Sequence, residues 1–176
     1  EEDRIAVVRF DNLAGGVGDL GVLQPVGAGE NRRRLTEALQ PPDEYFTRGY
    51  TRIDLGLQSA IDLLSGAREP GRSQYIILLT DGEPSQPTGS VSQKERVTAQ
   101  IEQMSVAGIS VFPVVLCNPT AGCAGEFLKA RFAESGVREA ASAQDLVRVF
   151  SEIFATLKSD RSVLSGRNAK GALQFN

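Results

Sequence analysis

Two polar side chains stand where an open α/β sheet would present them for binding. Asp81 directly follows the apolar run 75–80, and Thr51 opens an amphipathic stretch that continues to Leu64. Open α/β sheets bind ligands beside the carboxyl ends of their strands, on the loops that follow. A hydroxyl and a carboxylate both offer oxygen, the ligand atom that hard cations such as Mg²⁺ take. The pattern favours a divalent-cation site that contains Thr51 and Asp81.

Each of these residues also has a simpler local interpretation. Thr51 is a good N-cap for the helix that follows it, and Asp54 three residues later would nearly complete a capping box. Asp81 before Gly82 is typical of a turn. Asp54 and Asp11 are possible auxiliary carboxylates of the site. Asp54 more simply belongs to the first helical turn, and Asp11 to the turn after its strand.

Composition argues against several classes of function. The 176 residues include no histidine, which removes the commonest general base and a common metal ligand. Ser-His-Asp and Cys-His triads cannot form within the chain, and two cysteines with carboxylates fit zinc poorly. We therefore expect a protein that is not an enzyme.

The charge pattern predicts neither nucleic-acid binding nor direct membrane insertion. The net charge is −3, and the one tight basic cluster, 32–34, is more typical of a solvated helix face than of a phosphate-binding patch. No apolar run approaches the roughly 18 residues of a membrane span.

Apolar periodicity predicts one α/β domain over residues 1–158, with a doubly wound, mostly parallel sheet and helices on both faces. Residues 159–176 are polar and aperiodic, which predicts a linker or the start of a following region. The predicted strands cover 4–10, 20–26, 75–80, 109–116 and 137–141, and the predicted helices cover 31–39, 51–64, 92–108, 125–135 and 142–157.

Two segments in this order resemble the von Willebrand factor A domain family, of the bacterial type. They are Gly49-Tyr-Thr51 before a helix and Ile76-Ile-Leu-Leu-Thr-Asp-Gly82 at a strand end, and the resemblance extends over residues 4–157. The family's metal-ion-dependent adhesion site uses three loops: Asp-x-Ser-x-Ser, a Thr before a helix, and the Asp of Thr-Asp-Gly. Thr51 and Asp81 match the second and third loops. The first motif does not occur in the 176 residues.

The resemblance implies a Rossmann-like sheet that lacks the family's first central strand and first helix. We expect a chain that begins after that helix. The strand order of the family then leaves a slot between 4–10 and 75–80, which would lie in one sheet.

The function implied is a divalent-metal-dependent protein-binding module that acts in adhesion. In the intact protein, Mg²⁺ (or Mn²⁺ or Ca²⁺) would be held directly by Thr51, and by Asp81 directly or through water. A carboxylate of a protein partner would complete the coordination. The site is incomplete in this chain, which we expect to bind no metal alone.

Two other functions are possible. The first is a structural α/β module with a degenerate site inside a larger envelope protein. The second is a nucleotide-dependent enzyme on a Rossmann-like sheet. Residues 16–21 match G-x-G-x-x-G, but 22–25, Val-Leu-Gln-Pro, do not open the helix that this motif needs.

Cys117 and Cys123, the chain's two cysteines, flank a short loop beyond a predicted strand end. They indicate a disulfide, with two reduced thiols as the alternative. A disulfide favours an oxidising compartment and hence an extracellular or cell-envelope location, with the cytoplasm as the alternative.

Overall fold

The computed structural model describes residues 3–11, 14–16, 24–25, 30, 33–34, 37, 50–85, 92–118, 120, 122–133 and 136–171, with side chains except at 14–16, 24–25 and 160–171. The strands are β1 (Arg4–Ile5), β2 (Val8–Phe10), β3 (Ala14–Gly16), β4 (Gln24–Pro25), β5 (Gln74–Thr80), β6 (Ile109–Leu116) and β7 (Arg138–Ala140). The helices are α1 (Ile53–Gly66), α2 (Gln93–Ala107), α3 (Glu126–Arg131) and α4 (Ala143–Gly171).

A parallel sheet of order β5-β6-β7 forms the centre of the fold. The strands β5 and β6 are largely apolar on both faces because helices cover both faces of the sheet. Ile76 and Leu78 of β5 pack with α1, α2 and α3, whereas Tyr75 and Ile77 pack with α4 on the opposite face. This arrangement confirms the predicted doubly wound α/β fold. Parallel pairing also places the ends of β5 and β6 at one edge, since Thr80 pairs with Val115.

Local sequence signals set several helix ends. α2 ends at Gly108, whose left-handed φ of 71° suits glycine, and the Gly108 N–H donates to the carbonyl of Met104. Ser142 begins α4, because its Oγ accepts the N–H of Asp145 at 3.1 Å. Ser92 is the N-cap of α2, but its side chain makes no capping hydrogen bond.

The N-terminal strand differs from its prediction. Residues 4–10 divide into β1, which pairs antiparallel with β4, and β2, which pairs antiparallel with β3. In the described part of the chain neither β1 nor β2 is hydrogen-bonded to β5, as the predicted slot between them implies, and the placement of both segments in one sheet stays a prediction. Within the described ranges β5 pairs only with β6, and its other edge is where the sequence predicts a slot.

Other predictions fall partly outside the described residues. Residues 24–25 of the predicted strand 20–26 form β4, and Gly16 of the glycine motif ends β3, while 17–23 are outside. In the predicted helix 31–39, residues 33, 34 and 37 are helical. Arg33 pairs with Glu30 and Glu37, which supports a solvated helix face for this basic cluster.

The last helix is longer than predicted. α4 continues to Gly171, so residues 159–171 are helical where the sequence predicts an aperiodic linker. An apolar stripe is needed only where a helix packs, so its absence after residue 158 did not exclude a helix. The boundary at 158 between a domain and a following region stays a prediction. Among the helices described, none combines the length and the apolar character required to cross a membrane.

We expect Gly56→Ala to destabilise the fold, because β2 packs closely on α1. A Cβ at residue 56 would stand 2.6 Å from Cδ1 and 2.8 Å from Cγ of Phe10. Such overpacking costs about 1–3 kcal/mol, which exceeds the helix-propensity gain of alanine. Urea unfolding at equilibrium measures the change.

Gly66 of the same helix is the matched control. Nothing lies within 4 Å of a Cβ at residue 66. Gly66→Ala should therefore stabilise by up to about 1 kcal/mol. Equal effects at the two glycines would contradict the packing of Phe10 against α1.

Candidate metal centre

Thr51 leads into α1 without capping it. The helix begins at Ile53 with Arg52 as its N-cap, so the predicted N-cap role of Thr51 is wrong. The Thr51 carbonyl accepts the Ile53 N–H at 3.0 Å, and the chain turns into the helix one residue later than the sequence indicates. Within the described part of the chain, the Thr51 hydroxyl has no hydrogen-bond partner. That oxygen is available to an external ligand.

The backbone of Thr51 is fixed by the loop that follows β5. The Thr51 N–H donates to Ser85 Oγ at 2.7 Å, and the Ser85 N–H donates to the Thr51 carbonyl at 3.2 Å. We call this reciprocal pair of hydrogen bonds the Thr51 clasp. The Arg52 N–H also donates to the Asp11 carbonyl at 3.2 Å, at the end of β2. Three loops therefore meet around Thr51.

Asp81 lies on the same loop as Ser85 and is exposed. The Thr51 Oγ1 stands 3.5 Å from the position that a Cβ on Gly82 would take, so the hydroxyl adjoins the Asp81 loop. The turn after β5 is bonded by the Thr80 hydroxyl, which accepts the Gly82 N–H at 3.3 Å. The Asp81 carboxylate makes no hydrogen bond or ion pair with any residue that the structure describes. The turn therefore does not use this carboxylate.

The Asp54 carboxylate is occupied by hydrogen bonds from other side chains. It is 2% exposed, and its carboxylate accepts from Arg52 (2.8 and 2.9 Å), Gln93 (2.8 Å) and Arg96 (2.7 Å). We call these four residues the Asp54 cluster. Burial opposes ionisation, but the hydrogen bonds from Arg52, Gln93 and Arg96 outweigh it and hold the pKa of this carboxyl well below its usual range. Both oxygens are occupied, so Asp54 does not serve as an auxiliary metal ligand.

The partners of Asp54 and the role of Glu83 are not predictable from the sequence. Glu83 Oε1 accepts the Phe127 N–H at 3.0 Å in the first turn of α3, and its Oε2 lies 3.4 Å from Lys94 Nζ. Glu83 thereby ties the Asp81 loop to α3. A carboxylate near helix N–H groups is a favourable arrangement, but nothing in the spacing of residues 83 and 127 indicates it. Asp11 is exposed at the end of β2, and its auxiliary role stays a prediction.

Cys117 and Cys123 form the predicted disulfide. Their Cα atoms are 4.2 Å apart, and the loop between them is also closed by hydrogen bonds between Asn118 and Gly122 of 3.0 and 2.8 Å. The disulfide follows β6 at the edge that carries Asp81, since β5 and β6 are parallel. Both sulfurs lie within 4.8 Å of a Glu139 carboxylate oxygen, but the disulfide consumes their ligand capacity.

A parallel sheet covered on both faces, with polar side chains at its carboxyl edge, defines a doubly wound α/β binding domain. Comparison with protein families matches residues 1–150 to the von Willebrand factor type A domain, so the chain belongs to that family. This membership confirms the resemblance and makes the domain an interaction module of that type. A search of curated proteins found no match.

Proposed function

We propose that this domain binds a protein partner through a divalent cation, Mg²⁺ or alternatively Mn²⁺ or Ca²⁺, held in part by Thr51 and Asp81. One observation carries the proposal. A half-buried hydroxyl and the loop of an exposed carboxylate adjoin each other at the carboxyl edge, and neither side chain has a partner among the described residues. Because neither oxygen is committed to a protein partner there, the pair is available to an external cation, which takes oxygen ligands.

The residues present fit a hard cation in type and fall short in number. Mg²⁺ is typically held by one or two carboxylates, with waters and external oxygens in its other positions. Thr51 and Asp81 would supply two oxygens. The resemblance assigns further oxygens to an Asp-x-Ser-x-Ser loop, a motif that the 176 residues do not contain. When bound, the cation supplies the positive charge that attracts a partner's carboxylate.

Binding without catalysis is the second element of the proposal. The chain has no histidine, the side chain that most often acts as a general base. The Cys117–Cys123 disulfide supports an oxidising compartment, which favours an extracellular or cell-envelope location.

Mn²⁺ is the probe that tests the ligand assignment in this chain. At millimolar concentration, Mn²⁺ should broaden the NMR amide signals of Arg52 and Gly82 before signals elsewhere, because these amides adjoin the two ligands. EDTA should restore them. Calorimetry should detect no Mg²⁺ binding at physiological concentration, since two ligands do not offset the dehydration of this ion.

Asp81→Asn and Asp62→Asn are matched variants for this titration. Asp62 is an exposed carboxylate on α1, and it accepts a hydrogen bond from Gln58 at 2.9 Å. Selective broadening should disappear in Asp81→Asn and persist in Asp62→Asn. Broadening that is unchanged in Asp81→Asn would overturn the ligand assignment. Tight Mg²⁺ binding by the chain would show that other ligands build the site.

A structural module inside a larger envelope protein is the second candidate function. The observation in its favour is that the 176 residues contain no Asp-x-Ser-x-Ser motif. Partner binding that continues unchanged in EDTA would support this candidate and exclude a metal bridge.

A further inference from the structure

A buried amide at the start of α2 holds the backbone of Thr51. Gln93 is 2% exposed, and its Nε2 donates to the Thr51 carbonyl at 2.9 Å and to Asp54 Oδ1 at 2.8 Å. We infer that Gln93 is a positioning residue for the Thr51 hydroxyl and that it links α2 to the candidate metal centre. This inference rests on the proposed function.

The chemistry of the Gln93 site requires an N–H donor. Both neighbouring atoms, the Thr51 carbonyl oxygen and Asp54 Oδ1, are acceptors, and one amide nitrogen carries two hydrogens that can serve them. If the amide were flipped, its oxygen would face the Thr51 carbonyl oxygen and Asp54 Oδ1, with no hydrogen between them. These two acceptors therefore determine the orientation of the Gln93 amide. A glutamate could not donate at neutral pH. Gln93 Oε1 has no hydrogen-bond partner among the described residues. A buried acceptor without a hydrogen bond is unfavourable, so it reduces the contribution of Gln93 to the free energy of unfolding.

Because the Thr51 hydroxyl has no hydrogen-bond partner in the described ranges, its position depends on the backbone beneath it. The Thr51 carbonyl accepts N–H groups from Ile53 (3.0 Å), Ser85 (3.2 Å) and Gln93 (2.9 Å). A β-branched side chain has few χ1 rotamers, so a fixed backbone restricts the direction of the hydroxyl. Removal of the Gln93 amide would take away one of these three bonds, loosen the Thr51 peptide and displace the proposed ligand.

The Asp54 cluster gives the amide a rigid support. Arg52, from the Thr51 loop, and Arg96, from α2, both bind the carboxylate that receives Gln93 Nε2. Gln93 is the first residue of α2, so a movement of this helix end would be transmitted to the Thr51 carbonyl. The candidate metal centre is therefore connected to α2 by the amide as well as to β5 by the Thr51 clasp.

Gln100 provides a matched control on the same helix. It is 8% exposed, and its Oε1 is also a buried orphan within the described residues. Its Nε2 donates to the Asp54 carbonyl at 2.8 Å and to Gln58 Oε1 at 3.2 Å, and makes no bond to Thr51. Gln93→Met and Gln100→Met each remove one such amide while keeping an unbranched side chain of similar length.

Amide hydrogen exchange distinguishes the two variants. Gln93→Met should accelerate exchange of the Thr51 and Ser85 amides by about five- to tenfold, the factor that one ordinary hydrogen bond is worth. Gln100→Met should leave the exchange rates of the Thr51 and Ser85 amides unchanged, although its free energy of unfolding should change by about as much as that of Gln93→Met. Mn²⁺ broadening of Gly82 should weaken in Gln93→Met and persist in Gln100→Met. Equal exchange rates in the two variants would overturn the inference.

Two further outcomes separate the inference from the proposed function. Accelerated exchange in Gln93→Met, together with no selective effect of Mn²⁺ on the unaltered protein, would uphold the positioning role and refute the metal site. If Gln93→Met does not fold, hydrogen exchange in the unaltered protein still tests the inference. Its Gln93 side-chain N–H protons should exchange as slowly as the Ser85 amide, and fast exchange there would overturn the inference.

Discussion

Asp81→Ala should abolish metal-dependent capture of the partner by the intact protein while leaving the domain folded. Removal of a residue that hydrogen-bonds to a metal ligand typically lowers metal affinity by about 10–100-fold. Loss of a ligand itself should therefore lower the affinity by at least about 100-fold. The fold should remain, because Asp81 is exposed and the turn beside it depends on Thr80 and Gly82. Exposed positions of this kind usually change stability by less than about 0.5 kcal/mol. Capture on a surface in Mn²⁺ and in EDTA, followed by thermal melting, measures both effects.

Asp62→Ala controls for the loss of one surface charge. Asp62 is also exposed, but it lies on the outside of α1 and bonds Gln58. Its variant should keep EDTA-sensitive capture. If Asp81→Ala retains capture, or if EDTA has no effect on the unaltered protein, a metal bridge is not how this domain binds.

Asp54→Ala should destabilise the domain by about 3 kcal/mol, the lower end of the range for breaking a buried ion pair. The substitution leaves Arg52 and Arg96 without their shared carboxylate and also removes an acceptor from Gln93. We take the lower end because the two arginine side chains remain 21% and 33% exposed and keep part of their hydration. Chemical denaturation measures the loss. A change as small as that of Asp62→Ala would contradict the importance of the Asp54 cluster.

The pH dependence of the unfolding free energy should also show the contribution of the Asp54 carboxylate. The pKa of Asp54 is lowered in the folded state, so ionised Asp54 stabilises the fold above its unfolded pKa of about 3.9. That stability is lost as the pH falls through the folded pKa. The difference in unfolding free energy between the unaltered protein and Asp54→Asn should be constant at neutral pH and shrink below about pH 4. A difference that persists unchanged into strong acid would contradict this assignment.

Central elements were predictable because burial imposes a pattern on them. β6 has the predicted bounds and β5 begins one residue early, since strands covered on both faces must be continuously apolar. The disulfide followed from two cysteines around a short loop. The positions of Thr51 and Asp81 at one edge followed from the order of the elements.

Other features depend on partners distant in sequence. The bonds from Gln93 and Arg96 to Asp54 span 39 and 42 residues, so spacing within α1 indicated only a first-turn carboxylate. The division of residues 4–10 depends on pairing with β3 and β4, which local apolar content does not encode. Threonine is a residue type that favours the N-cap position. Hydrogen bonds of Thr51 to Ser85 and Gln93 nevertheless accompany a helix start at Ile53.

The connections at the carboxyl edge bear on the entropy of binding. The Thr51 clasp, the bond from Glu83 to α3 and the Cys117–Cys123 disulfide each restrain a different loop there. Flexible loops lose conformational entropy when a partner orders them, which weakens association. Here folding has already imposed much of that order. A partner that docks at this edge would therefore meet a surface whose described loops need little rearrangement, and more of the contact energy would remain as affinity.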